Sequence, residues 1–168
     1  MTATRPLPIE PLTRAAFAPF GEVLDTSGVA PRMINEGTTE RFHALAHADV
    51  DAKGGRAIVS LFRASFRGLP FTVRMLERHP LGSQAFYPLS ADGWLVVVGE
   101  GVARPEPGSI RCFGATGWQG VNYARNTWHH PVLILAPKQD FLVVDREGPG
   151  DNLEECWFEA REQRCITI

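Results

Sequence analysis

At 168 residues, 44% hydrophobic and 21% charged, the chain has the size and balance of one globular domain spanning 1–168. Its net charge of −2 excludes the basic face that nucleic-acid phosphates require. No apolar run approaches the roughly 20 residues of a membrane helix, and MTATRPLPIEPL holds no signal-peptide core, so a cytoplasmic protein is expected.

In chain order, Thr13 is placed to cap a short helix over Arg14–Ala18, which Pro19 limits. Strands are then predicted at Arg32–Asn35, Arg41–Leu45, Ala57–Ala64, Phe71–Arg78 and Gln84–Pro88. Further strands are predicted at Trp94–Val98, Ser109–Phe113, Pro131–Ala136, Phe141–Asp145 and Leu153–Phe158. Many are spaced near the roughly 8–12 residues of a sandwich or barrel. No long helical period separates them, so a parallel α/β sheet is not expected. Neither a repeat nor a linker divides the chain, and the core is placed at about 7–158. The odd set of Cys112, Cys156 and Cys165 has no CxxC, which predicts reduced thiols rather than a disulfide framework or a zinc ribbon.

Side chains alternate along a strand. Phe71, Val73 and Met75 share one parity, and that parity continues to Glu77 and His79. The apolar inward face is therefore expected to end in a carboxylate and an imidazole. Burying both is costly unless they are paired or hydrogen-bonded. The plainer alternative leaves them solvated at the barrel mouth. Pro80-Leu81-Gly82 makes a turn, and Gln84 and Phe86 share one face of the return strand.

A second cluster, Asn122 to Pro131, gathers two histidines, an arginine, a tyrosine and two amides. His129 and His130 have opposite parity, so only one points inward, and both flanking faces are apolar. So many hydrogen-bonding groups suit a ligand site, although a packed Trp-His-His-Pro corner accounts for them too. A third group contains Arg41, with Arg63 following on a strand; either guanidinium, if half-buried, needs an anion. Surface ion pairing is the commoner use.

The central clusters resemble the two cupin motifs. The first, His-x-His followed by Glu and Gly, is matched by Glu77-x-His79, Gln84 and roughly Gly93. The second, Pro-x-Gly-x-x-His, is matched at His129 only. A closer match covers most of the chain. The strings Ile34-Asn35-x-Gly37…Glu40-Arg41-Phe42-His43, Leu76-Glu77-Arg78-His79-Pro80-Leu81-Gly82-Ser83-Gln84-Ala85-Phe86, Gly120-Val121-Asn122-Tyr123-x-Arg125-Asn126-x-Trp128-His129-His130-Pro131 and Asp140-Phe141-Leu142-x-x-Asp145-Arg146 resemble the bacterial ureidoglycolate lyase family.

That resemblance implies an all-β, cupin-like antiparallel barrel or jelly roll with one short N-terminal helix. It implies a homodimer cleaving (S)-ureidoglycolate to glyoxylate and urea in allantoin and purine catabolism. Glu77, His79, Gln84 and His129 are then the catalytic candidates, with Arg63, Arg41, Asn122, Tyr123 and Arg125 as substrate-binding candidates. The family is associated with nickel; if a divalent metal is bound, Glu77, His79, Gln84 and His129 are its expected ligands. Rival readings are a metal-dependent cupin oxygenase or isomerase, and a non-catalytic small-molecule-binding cupin.

Overall fold

A computed structural model describes residues 5–168. The extended backbone of Thr13 lets its hydroxyl accept the Ala16 N–H at 3.1 Å, capping a single turn of helix, α1 (Arg14–Phe17). Phe17 anchors that turn edge-on against Phe113, with ring centroids 5.9 Å apart.

The described strands begin with β1 (Arg5–Pro6), β2 (Ile9–Pro11), β3 (Gly21–Leu24), β4 (Arg32–Ile34), β5 (Thr39–Arg41) and β6 (Arg56–Ser65). Next come β7 (Phe71–Val73), β8 (Met75–Arg78), β9 (Gln84–Pro88), β10 (Trp94–Gly99), β11 (Arg111–Ala115) and β12 (Gly120–Tyr123). The last are β13 (Trp128–His129), β14 (Leu133–Ile134), β15 (Lys138–Glu147), β16 (Glu154–Trp157) and β17 (Arg164–Ile166).

One sheet runs β3-β12-β9-β15-β6 and faces another running β16-β8-β13-β10-β11-β2, with β14 also on β10. A third sheet is β1-β17-β7, and β4-β5 forms a separate hairpin. This is the all-β, cupin-like barrel expected. It is antiparallel except where β1 joins β17 and β2 joins β11, both parallel.

Strand β10 shows what holds the layers together. Trp94, Val96 and Val98 enter the barrel core with Phe86, Tyr123 and Phe141 from the facing sheet. Leu95 and Val97 enter a second cluster with Val73, Leu76 and Ile166. Each such fully buried side chain contributes about 1.5–3 kcal/mol. Ile166 is fully buried, so the core runs beyond 158.

The parity argument fails at one residue. Arg74 separates β7 from β8, and the two strands join different sheets. Val73 therefore shares a cluster with Leu76, not with Glu77. The break frees Glu77 to face the barrel, for a reason other than strict alternation from Phe71.

Candidate active site

Strand β13 lies antiparallel to β8 with His129 directly opposite Glu77, which puts both side chains on one face. His129 Nε2 lies 3.7 Å from Glu77 Oε1. The imidazole donates from Nδ1 to the Thr127 carbonyl at 2.9 Å, so Nε2 carries the lone pair. That nitrogen is buried with no hydrogen-bond partner. Tyr123 stacks on the ring at 4.1 Å and 12°.

Charge follows from this burial. Desolvation, reinforced by His79, pushes the His129 pKa down to about 3. The same cause raises Glu77, opposed by His79. Proximity alone would suggest a Glu77–His129 ion pair, but an imidazole this deeply buried is neutral. At 3.7 Å the pair is also too long for a hydrogen bond.

His79 follows β8 and is locked from outside. Its Nδ1 donates to the Asn152 carbonyl at 2.7 Å, and its Nε2 faces Gln84 Oε1 at 3.1 Å. Gln84 is oriented in turn by donating Nε2 to Asp145 Oδ2 at 3.0 Å. The Asn152 side chain accepts the Leu81 N–H at 2.7 Å, fixing the turn after His79. Arg146 donates to the Ala52 and Pro149 carbonyls and so ties down the segment that carries Asn152.

Asp145, Asn152 and Arg146 were not among the candidates. Asp145 and Arg146 stand in one of the family-like strings, a signal that was present. Asn152 acts on His79 through its backbone carbonyl, which leaves no side-chain signal.

Gly82 sits where Arg146 passes. A Cβ there would lie 2.8 Å from Arg146 Cβ, on the stiff part of that side chain. Gly82→Ala is therefore expected to destabilise the protein by about 1–3 kcal/mol, read as a lower urea midpoint.

Glu77 and Gln84 line a cavity of about 250 Å³, walled by Phe62, Phe86, Pro131 and Val132. That is below the usual range for drug-sized ligands and suits a small polar substrate. A larger cavity of about 430 Å³ surrounds the 124–127 turn and touches none of Glu77, His79 or His129.

His129 is the inward histidine. His130 lies on the other side, edge-on to Phe71 at 5.3 Å, and burial lowers its pKa to about 4. The structure brings Glu77, His79, Gln84, His129 and Tyr123 together.

It does not bring the other candidates with them. Asn122 lies on the outer sheet face, donating to Glu22 at 2.9 Å and to the His47 carbonyl at 3.0 Å. Arg125 forks onto Asp49. Arg63 borders the cavity, but its guanidinium forks onto Asp140 at 2.8 and 2.9 Å. Arg41 is exposed on the β4–β5 hairpin and does not line the cavity.

The ligand atoms of Glu77, His79 and His129 all lie within 4.8 Å of one another. Two imidazole nitrogens and a carboxylate fit a divalent transition metal, and such an ion would satisfy the orphaned His129 Nε2. Gln84 Oε1 stands beside the group as a further oxygen donor.

A barrel that gathers two histidines and a carboxylate beside a small cavity, which Glu77 and Gln84 line, has the build of a small-molecule site. The family model "Ureidoglycolate lyase" matches residues 4–164. A ureidoglycolate lyase of Rhizobium etli (strain CIAT 652) is 56% identical over 154 residues, 92% of each chain. That of Burkholderia mallei (strain NCTC 10229) is 57% identical over 149 residues, 89% of this chain and 87% of its own. That of Azotobacter vinelandii (strain DJ / ATCC BAA-1303) is 54% identical over 159 residues, 95% and 96% of the two. The chain belongs to the ureidoglycolate lyase family. Among solved structures, Bacillus subtilis oxalate decarboxylase is a distant likeness, at TM-score 0.36 and 14% identity over 65% of this chain and 29% of its own.

Proposed function

We propose that this chain cleaves (S)-ureidoglycolate to glyoxylate and urea, as a urea-releasing carbon–nitrogen lyase of allantoin breakdown. The observation that carries the reading is the Glu77, His79 and His129 group, whose Glu77 lines a small cavity together with Gln84, in a chain of this family.

The substrate carbon bears a hydroxyl, a carboxylate and a urea nitrogen. Cleavage removes the hydroxyl proton, forms the carbonyl, breaks the C–N bond and protonates the departing urea nitrogen. Glu77, whose pKa burial moves toward neutrality, takes the hydroxyl proton. His79, whose Nδ1–H is held by the Asn152 carbonyl and whose Nε2 faces the Gln84 oxygen, acts as the imidazolium: it gives its Nε2 proton to the urea nitrogen and is recharged by the proton Glu77 has taken. Gln84 orients the substrate, Tyr123 steadies His129 by stacking on its ring, and Phe62 and Phe86 give the cavity an apolar wall.

If the site is loaded, Glu77, His79, His129 and Gln84 hold a divalent ion, nickel, zinc or manganese by donor type. That ion supplies Lewis-acid polarisation of the substrate oxygens. In this version Glu77 and His79 serve as ligands.

We further read the chain as one domain, working as a cytoplasmic homodimer. No described helix is long and apolar enough to cross a membrane.

Incubation with racemic ureidoglycolate, against a spontaneous-decay control, is expected to release glyoxylate and urea in equal amounts. Ammonia in place of urea would make the protein a hydrolase. In the metal version, exhaustive chelation removes activity and adding back one divalent ion restores it. Full activity in a protein shown metal-free by elemental analysis contradicts that version.

A further inference from the structure

We propose that the substrate carboxylate is held by Arg41 of a second copy of this chain, whose β4–β5 hairpin reaches across into the cavity beside Glu77. The proposal rests on the ureidoglycolate reading only for the charge of the substrate.

The first observation is a missing cation. An anionic substrate next to Glu77 needs a positive group, and the neighbouring guanidiniums are committed. Arg63 forks onto Asp140, Arg125 onto Asp49, and Arg78 donates to Glu154 at 2.6 Å. Arg146 is used up on backbone carbonyls.

The second is a pair of idle cations. Arg32 and Arg41 stand directly opposite one another across the β4–β5 hairpin. Like charges so placed repel, and an anion between them relieves the repulsion. Among the described residues neither guanidinium has a hydrogen-bond or ion-pair partner.

The hairpin joins none of the barrel sheets. It is nonetheless a formed arm, closed by Gly37 N–H to the Ile34 carbonyl at 3.1 Å and Thr38 N–H to the Asn35 carbonyl at 3.2 Å. None of its residues lines the cavity of its own chain.

The third observation says where the second copy sits. The outer face of the five-stranded sheet carries two apolar rows, Tyr87–Leu142–Leu61 and Ala85–Val144–Val59. Leu61 is 70% and Val59 67% exposed, on a ten-residue edge strand whose far side is unpaired. A long, regular, apolar edge is a natural seat for another chain. The same strand turns Phe62 and Ala64 inward to the site cavity. Glu77 lines that cavity too, so a copy seated on Val59 and Leu61 lies against the strand that walls the site. Charge then selects the occupant, because this chain itself carries both a cavity whose bordering guanidinium, Arg63, is paired with Asp140 and the unpaired arginines.

Two tagged variants, Glu77→Gln and Arg41→Ala, are co-expressed, and the mixed dimer is isolated through both tags. Arg41→Ala alone is expected to fold normally and to lose roughly 10- to 100-fold in kcat/KM, the range for a lost charged hydrogen bond. Glu77→Gln alone is inactive by its own defect. The mixed dimer contains one site with intact Glu77 served by the intact arm of the other chain, so it regains roughly half of wild-type activity. No recovery in the mixed dimer places the arginine in its own subunit and overturns the proposal. Wild-type kcat/KM in Arg41→Ala also overturns it, as does a fully active monomer. Wild type that leaves ureidoglycolate uncleaved overturns the reaction itself, and that assay comes first, so the two failures are told apart.

Discussion

Glu77→Gln lowers kcat for ureidoglycolate by roughly 10²–10⁴-fold, the usual worth of a positioned acid or base. The substitution keeps the size and planarity of the side chain and removes only its ability to ionise. The stacked Tyr123, the His129 bond to Thr127 and the His79 bond to Asn152 do not involve the Glu77 carboxyl, so the site keeps its shape. Stability is unchanged or slightly higher, because the fold no longer buries an ionisable carboxyl with desolvation as its largest cost. A kcat within a few-fold of wild type, with normal unfolding, removes Glu77 from the chemistry.

The second large effect is acid destabilisation. His129 and His130 have folded pKa values near 3 and 4, against 6.5 for free imidazole. Below pH 6.5 the unfolded chain takes up protons that the fold refuses. The stability linked to these two groups is therefore complete above about pH 6.5 and is lost as the pH falls toward their folded values. Each pH unit below 6.5 costs about 1.4 kcal/mol per histidine. By pH 5 that is about 2 kcal/mol for each, roughly 4 kcal/mol in all.

Glu77 acts with the opposite sign. Its raised folded pKa stabilises the fold at low pH, and that contribution is lost as pH rises through the raised value. One carboxyl does not offset two buried imidazoles. Urea unfolding at pH 5 and pH 7 is expected to give a clearly lower midpoint at pH 5; equal midpoints would mean that the histidines are accessible and protonated in the fold.

Much of this was legible in the sequence, for identifiable reasons. Strand β9 has the predicted bounds, Gln84–Pro88, because the Pro80–Gly82 turn before it is unambiguous and Gln84 and Phe86 alternate cleanly with their neighbours. The short helix was legible from Thr13 and Pro19. The grouping of Glu77, His79, Gln84 and His129 came from strand parity together with the cupin spacing, which encodes strands brought side by side.

The failures are equally physical. Alternation cannot be carried across Arg74, where one apparent strand divides between two sheets. Strand β12 was hidden inside a polar-looking string, although all four of its residues are buried. Asn122 looked like a site residue because it stands in the Asn122–Pro131 cluster of hydrogen-bonding groups, yet adjacent strand residues face opposite ways, and only Tyr123 reaches His129. The inward choice between His129 and His130 needed the β8–β13 register. The arginines could not be sorted from the sequence because their partners, Asp49, Asp140 and Glu154, lie on other elements.

A structure of the protein soaked with glyoxylate tests the account most directly. The prediction is glyoxylate inside the barrel, its oxygens within hydrogen-bonding distance of Glu77 or His79 and Gln84. Glyoxylate seated instead on the outer sheet face beside Asn122, or around the 124–127 turn, with the barrel cavity empty, would contradict it.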